Sequence, residues 1–355
     1  MSRTYKATGI NLKSAPIGEA DRLLTILTQQ FGLIRVVAKG ARKHLSKFGG
    51  RGELFVVNRL LIARGRSLDK IAQAETVVSY PGLSRDLGKL AAGQYLAELV
   101  LFQALSEQPQ EELFAALNEH LRRLEGLPRR EGRAQGVAIA AYLVQGTFHL
   151  LALAGLAPQV QVCSLCRVPI EPNFELPGWY AGFSAASGGA IAPQELDRLA
   201  AAGKLPSWPQ RLSSGSRMCS RSVAEMADSA YDSAYPSAAI ASPASGYPSP
   251  RLRQQAGKSP GQPRLEHQRL FQVNAMELSV LQQLAQSAPV LTGELSETLS
   301  GEQLGELSMA ANDCKLSISD STWFNLERLL RQYAQYHFGR PIRSADLIDT
   351  CLMSG

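Results

Sequence analysis

Several shortages set the first limits on this chain. Among 355 residues there are only five cysteines, at positions 163, 166, 219, 314 and 351, and an odd, scattered set of thiols is not the framework of a disulfide-stapled domain. The five histidines, at 44, 120, 149, 267 and 337, have neither metal-site nor triad spacing, so each reads as a surface or core residue. Glycine (30) and proline (19) are too few for a collagen-like repeat. The start Met1-Ser2-Arg3-Thr4-Tyr5-Lys6 lacks the apolar core of a signal peptide, so a reducing cytoplasm is expected. A hydrophobic content of 45% is ample for two or three domains with cores of their own and excludes a wholly disordered chain.

Signatures of bond-making chemistry are also missing. Gly257-Lys258-Ser259 resembles the end of a phosphate-binding loop, but Leu252 stands where the opening glycine is required. Gly182-Phe183-Ser184-Ala185-Ala186 lacks the second glycine of a nucleophile elbow. Glu111-Glu112 suits the first turn of a helix, where the dipole favours carboxylates. The expectation is a protein that is not an enzyme and needs no cofactor.

What the chain does have is charge in one place. Residues 1–80 carry fourteen basic side chains against five acidic ones, while the other 275 residues hold 23 basic and 26 acidic. The whole positive excess belongs to the first segment, the footprint expected for a polyanion partner. That segment reads as five short strands, Thr4–Lys13, Arg22–Thr28, Leu33–Lys39, Glu53–Arg64 and Leu68–Val78, punctuated by Gly/Pro turns. Five strands in eighty residues point to a small antiparallel barrel of the OB-fold type. On the third strand Arg35 and Lys39 share a face, and the Gly40 turn then presents Arg42, Lys43 and Lys47 on a loop. With Arg51, Arg64 and Arg66 these are the expected nucleic-acid-binding residues. Phe48, Phe31 or Tyr5 would offer a ring for base stacking.

Beyond Pro81 the apolar period becomes helical, as in Leu113, Leu117, Leu121 and Leu124, or Tyr95, Leu99, Phe102 and Leu105, and amphipathic helices closing a bundle are expected. Val137–Leu156 is apolar enough to raise the question of a bilayer span. Gln145, Thr147, His149 and the absence of an aromatic belt favour a helix buried at the bundle's centre. Cys163-Ser164-Leu165-Cys166 is half of a zinc-ribbon pattern. No Cys or His follows near Ala192 and Glu195, so two unligated thiols are expected. Residues 205–265 are dominated by Ser, Pro, Ala and Gly and read as a disordered insertion. Helical spacing resumes at Phe271, and the last clear helix runs from Trp323 to Phe338 with Gly339 as its stop.

The division expected is therefore a barrel at 1–80, a helical domain at 81–160, a degenerate zinc-knuckle region at 161–204, the insertion at 205–265, and a helical part at 266–355 packing on the helical domain. The fold class is α+β multidomain.

Blocks distributed along the chain resemble one family. Pro16-Ile17-Gly18-Glu19-Ala20-Asp21-Arg22, Val37-Ala38-Lys39-Gly40-Ala41-Arg42-Lys43, Arg64-Gly65-Arg66-Ser67-Leu68, Ala91 to Val100, and Leu326 to Ser344 are together similar to the bacterial DNA repair family RecO. The resemblance implies a recombination mediator with an OB-fold that binds single- and double-stranded DNA. It also implies annealing of complementary strands, cooperation with RecR and the single-strand-binding protein SSB, and help in loading RecA, in the cytoplasm at the nucleoid and without a membrane. The family's basic block maps onto Arg35, Lys39, Arg42 and Lys43. The second cysteine pair of its zinc knuckle falls at Ala192 and Glu195 here. The alternative weighed is a protein-interaction or membrane-associated adaptor with an incidental basic barrel.

Overall fold

A computed structural model describes residues 4–43, 46, 48–130, 132–202, 270–287 and 318–353. Lys47, Cys219, Cys314 and the insertion at 205–265 lie outside the described residues.

The amino-terminal strands are β1 (Thr4–Ile17), β2 (Asp21–Thr28), β3 (Gly32–Ala38), β4 (Val57–Ala63) and β5 (Asp69–Val78). They close a barrel in the order β1-β2-β3-β5-β4, the OB-fold expected from the strand count. Neighbours run antiparallel except β3 and β5, which meet in parallel through Val36↔Asp69 and Val37↔Lys70. Register decides which side chains enter the barrel, because residues directly opposite across a ladder share a face. Ile26↔Ile34, Leu24↔Val36, Ala7↔Leu60 and Ile62↔Ile71 face inward. The alternate positions point out, and Ile10, Leu12, Leu27 and Leu33 pack against the helices. Full burial of side chains such as Ile26 and Ile62 stabilises by roughly 1.5–3 kcal/mol each.

Three helices follow, α1 (Leu87–Gln103), α2 (Glu111–Gly126) and α3 (Arg133–Leu153). Asp86 caps α1 by accepting from the Lys89 amide at 3.0 Å. In α2, Leu113, Leu117, Leu121 and Leu124 are buried as their spacing requires. The expectation that every helix is amphipathic fails for α1 and α3, which are apolar nearly all round because neighbours cover them on several sides. Leu105 lies beyond α1 and is exposed. In α3, 61% of the most apolar stretch is buried, and Tyr142, Leu143, Val144 and Phe148 sit in the core. The helix is long and apolar enough to cross a membrane, but here it is the centre of a bundle. Gly146 permits this closeness, since a Cβ there would stand 3.0 Å from Leu96.

The barrel is seamed to these helices through the β2–β3 turn. Leu33 donates to the Leu105 carbonyl at 2.9 Å, Glu107 to Phe31 at 3.0 Å and Gln110 to Gln29 at 2.9 Å. Gly32, at φ +60°, is required there, because a Cβ would meet the Leu105 oxygen at 2.0 Å.

A small sheet β7-β6-β8 comes next, made of β6 (Tyr180–Ser184), β7 (Gly189–Ile191) and β8 (Leu270–Asn274), with α4 (Pro193–Ala201) beside it. Phe271 therefore lies in a strand, not at the start of a helix. Phe271 is paired with Phe183 on β6, and the helix α5 (Ala275–Ser287) begins only after Asn274. Helix α6 (Asp320–Phe338) ends at Gly339 in the left-handed region, as the stop signal implied. A last helix, α7 (Ala345–Met353), follows beyond Pro341, within the helical part expected at 266–355 but after its last clearly marked helix.

Candidate nucleic-acid interface

Arg35 sits on the outer face of β3 opposite Thr25, and Lys39, at the strand's end, has the same parity; both are exposed. Gly40, at φ +64°, turns the chain there. The turn is tied to the β1–β2 connection, where the Asp21 carboxylate accepts the Gly40 amide at 2.7 Å and the Ala20 carbonyl accepts the Arg42 amide at 2.9 Å. The Arg42 guanidinium donates to the Gly18 carbonyl at 3.2 Å, which directs the side chain without cancelling its charge. Lys43 is exposed beside it.

Arg64 and Arg66 belong to the turn before β5, whose first residues pair with Val36 and Val37 of β3. The closure of the barrel thus brings that turn alongside the strand carrying Arg35. The Arg64 guanidinium stacks over the Tyr5 ring at 5.6 Å, and the Tyr5 hydroxyl donates to Asp69 at 2.7 Å. Burial and the Asp69 carboxylate together raise the Tyr5 pKa, so the phenol stays a donor. Arg51 is exposed in a short 3-10 turn, Gly50–Gly52, whose main chain is held by Asn11 and Asn58 donating to the Arg51 carbonyl at 2.7 and 2.9 Å.

Among the described residues, Arg35, Lys39, Arg42, Lys43, Arg64 and Arg66 make no ion pair with a carboxylate, whereas Arg22 pairs with Glu53 at 2.8 Å and Arg59 with Glu75 at 3.1 Å. The rings are placed less openly than stacking would ask. Tyr5 lies opposite inward-facing Ile62, meets Phe31 edge-on at 4.9 Å, and all three of Tyr5, Phe31 and Phe48 are half-buried against the barrel core. The sequence signal that was missed is parity. Tyr5 shares the inward phase of Ala7, legible only once the register is known.

The segment around Cys163 and Cys166 lacks a full set of metal ligands among the described residues. Cys163 and Cys166 lie on a tight turn in which Arg167, at φ +65°, donates to the Cys163 carbonyl at 2.9 Å. Cys163 is buried and its Sγ accepts the Ala192 amide at 3.3 Å, while Cys166 is exposed. Burial alone would raise the Cys163 pKa. Amides of Ala192, Cys166 and Leu165 and the Cys166 thiol outweigh it and hold the pKa below its ordinary value. A zinc ion needs four converging donors. Ala192 has no side-chain donor, Glu195 is engaged by Arg198 at 2.6 Å, and among the described residues no group of three His, Cys, Asp or Glu is disposed to hold a metal. The residues present do not fit the ion.

Two of the histidines do meet. His120 and His149 are linked at 3.0 Å and His120 contacts the Tyr142 hydroxyl at 3.1 Å, inside the bundle. Burial pushes the His120 pKa down to about 3, with the charges of His149 and Arg123 adding to it. A neutral, enclosed pair of this kind packs helices.

The comparison with known proteins covers the same two parts. Residues 1–80 match the family described as "Recombination protein O N terminal", and residues 84–210 match "Recombination protein O C terminal". The chain is 46% identical over 350 residues to "DNA repair protein RecO" of Nostoc sp., covering 99% of this chain and 97% of the relative. It is 45% identical over 350 residues to the protein so named in Nostoc punctiforme, covering 99% and 97%. For that of Trichodesmium erythraeum the identity is 43% over 354 residues, covering 100% and 96%. Barrel and helical body are therefore shared with these relatives as one continuous unit of sequence, and the chain belongs to the RecO family of DNA repair proteins.

Proposed function

We propose that the protein is a non-enzymatic recombination mediator that holds single- and double-stranded DNA on the outer face of its barrel and anneals complementary strands. The observation that carries this is the row of cations on and beside β3, Arg35, Lys39, Arg42 and Lys43, exposed and without carboxylate partners among the described residues. Arg64 and Arg66 extend the row from the adjoining turn, and Arg51 and Lys47 belong to the connection between β3 and β4. Such a surface binds phosphates by releasing their counterions and has little reason to prefer one base over another. Annealing needs no bond to be broken. Two polyanions repel, and a protein that neutralises phosphates on both raises their rate of encounter.

On this reading residues 1–80 are the DNA-binding domain. The helical body at 81–160, together with the described helices of 266–355, serves as the platform through which RecR and SSB are met and RecA loading is assisted. The knuckle region at 161–204 adjoins it, and the site of action is the cytoplasmic nucleoid. A membrane-associated adaptor would need α3 to face lipid, and its apolar stretch is mostly covered by protein.

The test is charge reversal at Arg35, Lys39, Arg42 and Lys43 in the full chain, with oligonucleotide anisotropy followed across a salt series. Each lost phosphate contact removes about 0.7 from the log–log salt slope for single strands. The reversed protein should bind weakly and with a flattened slope, and should anneal strands poorly with or without SSB. A folded quadruple variant whose affinity and slope match the parent's would overturn the assignment.

A further inference from the structure

The knuckle poses a question that DNA binding leaves unanswered: what two cysteines do when their metal partners are missing. The Cys163 sulfur accepts a main-chain hydrogen bond from Ala192, where the resemblance places the third ligand. The loop closes by peptide bonding, with Cys163 donating to Val168 at 2.8 Å, Ser164 to Ala190 at 2.8 Å, and Ile170 to Gln161 at 3.0 Å. Val160, Cys163 and Ile170 are buried in the main core. Main-chain hydrogen bonds and core packing thus hold the turn together.

We infer that Cys163 and Cys166 form a metal-free dithiol that closes reversibly to a disulfide when the protein meets a peroxide. The geometry suits it. The two cysteines are three positions apart on one tight turn, which the Arg167 amide closes by donating to the Cys163 carbonyl at 2.9 Å. Cys166 is open to solvent, and Cys163 is enclosed behind it. The exposed Cys166 thiol, whose pKa is raised, reacts through its thiolate fraction: the sulfur takes an oxygen from hydrogen peroxide as the O–O bond breaks, and the displaced hydroxide leaves with the thiol's proton as one water, giving a sulfenic acid. The Cys163 sulfur then forms the S–S bond as that S–O bond breaks, and the second water leaves. Two thiols and one hydrogen peroxide give one disulfide and two waters. The sulfur pair loses two electrons and the peroxide oxygens gain them. A small dithiol reverses the reaction by exchange.

The chain offers a convenient readout, because no lysine or arginine lies between Arg133 and Arg167 and one tryptic peptide holds both cysteines. The full-length protein is treated with hydrogen peroxide, its remaining thiols are blocked with N-ethylmaleimide, and the digest is weighed. The expected product is the 134–167 peptide lighter by two hydrogens and unalkylated, returning to the doubly alkylated form when dithiothreitol precedes blocking. The same product is expected when Cys219, Cys314 and Cys351 are all replaced by serine. Cys166→Ser, at an exposed position, should abolish it while circular dichroism stays unchanged. A peptide recovered with both thiols alkylated after peroxide, a cross-link to any other cysteine in its place, or stoichiometric zinc in the protein as purified would each overturn the inference.

Discussion

On the barrel, Arg35, Lys39, Lys43 and Arg66 stand in solvent without a carboxylate partner among the described residues, whereas in the helical body Arg331 is wedged between Glu327 and Asp349. Its Nε donates to Glu327 at 3.0 Å and its terminal nitrogens to Asp349 at 2.7 and 2.9 Å, with the arginine side chain 10% exposed and that of Glu327 2%. Other cations of the body are engaged too. Arg122 and Arg123 share Glu119, Arg133 takes Asp320, and the Lys89 ammonium caps α2 by donating to the Glu125 and Leu127 carbonyls. The two regions teach that a count of basic residues says nothing of which cations the fold leaves without a carboxylate. What matters is whether the fold has already provided each cation with an anion.

The sharpest way to break this comparison is to remove a cation from the body. Arg331→Met would leave the Glu327 carboxylate buried without its paired guanidinium, a change that costs about 3–5 kcal/mol. The thermal unfolding midpoint should fall steeply, while the variant, assayed below that midpoint, should keep the parent's DNA affinity and salt slope. The contrast fails if Arg331→Met melts like the parent and binds DNA poorly.

Acid should separate the regions a second way. His120, whose folded pKa lies at about 3, and His149, also depressed by burial, refuse protons that the unfolded chain accepts below the ordinary value of 6.5. A lowered folded pKa of a base means that the stability it contributes is complete above 6.5 and is lost as pH falls from there towards 3. The loss for one such histidine is on the order of 1.4 kcal/mol per pH unit. Glu119, held down to about 2 mainly by its hydrogen bond to Arg122, adds an acid-labile contribution only below the ordinary carboxylate range. The melting temperature should therefore drop between pH 6 and 5, and His120→Asn should flatten that drop even though it lowers the plateau. An unaltered pH profile in the variant would count against the buried pair as its source.

Much of the barrel was legible because each strand carried its own signal. Alternation ran through Leu24, Ile26 and Val36, turn glycines stood at 18, 32 and 40, and all five strands lie within one or a few residues of their expected positions. The β8 strand was hidden for the opposite reason: five residues, Leu270–Asn274, are strand only because Phe271 meets Phe183 almost ninety residues earlier. Apolar helices such as α3 gave length but no facing direction, since a helix covered on all sides shows no amphipathic stripe. At the site, the cations of 35–43 could be read directly. Their lack of partners could not, because it depends on Asp21 serving the Gly40 amide and Glu53 serving Arg22.

The smallest effect is expected inside the barrel itself, and it tests pairing against mere location. Arg59 and Glu75 face each other across β4 and β5, bonded at 3.1 Å with side chains 63% and 72% exposed. A pair so open contributes only about 0–1 kcal/mol, so Arg59→Gln should hardly move the melting curve. It also removes a positive charge from the same domain that carries Arg35, yet the cation it removes was already balanced by a neighbouring carboxylate. Glu75, left alone, repels phosphate only weakly beyond the roughly 8 Å screening length of physiological salt. The salt slope of Arg59→Gln should thus stay near the parent's, while Arg35→Gln, on β3 with Thr25 opposite, should lose about one contact's share, ~0.7. Equal losses in the two variants would mean that DNA responds to the barrel's total charge and that freedom from a carboxylate does not mark the interface.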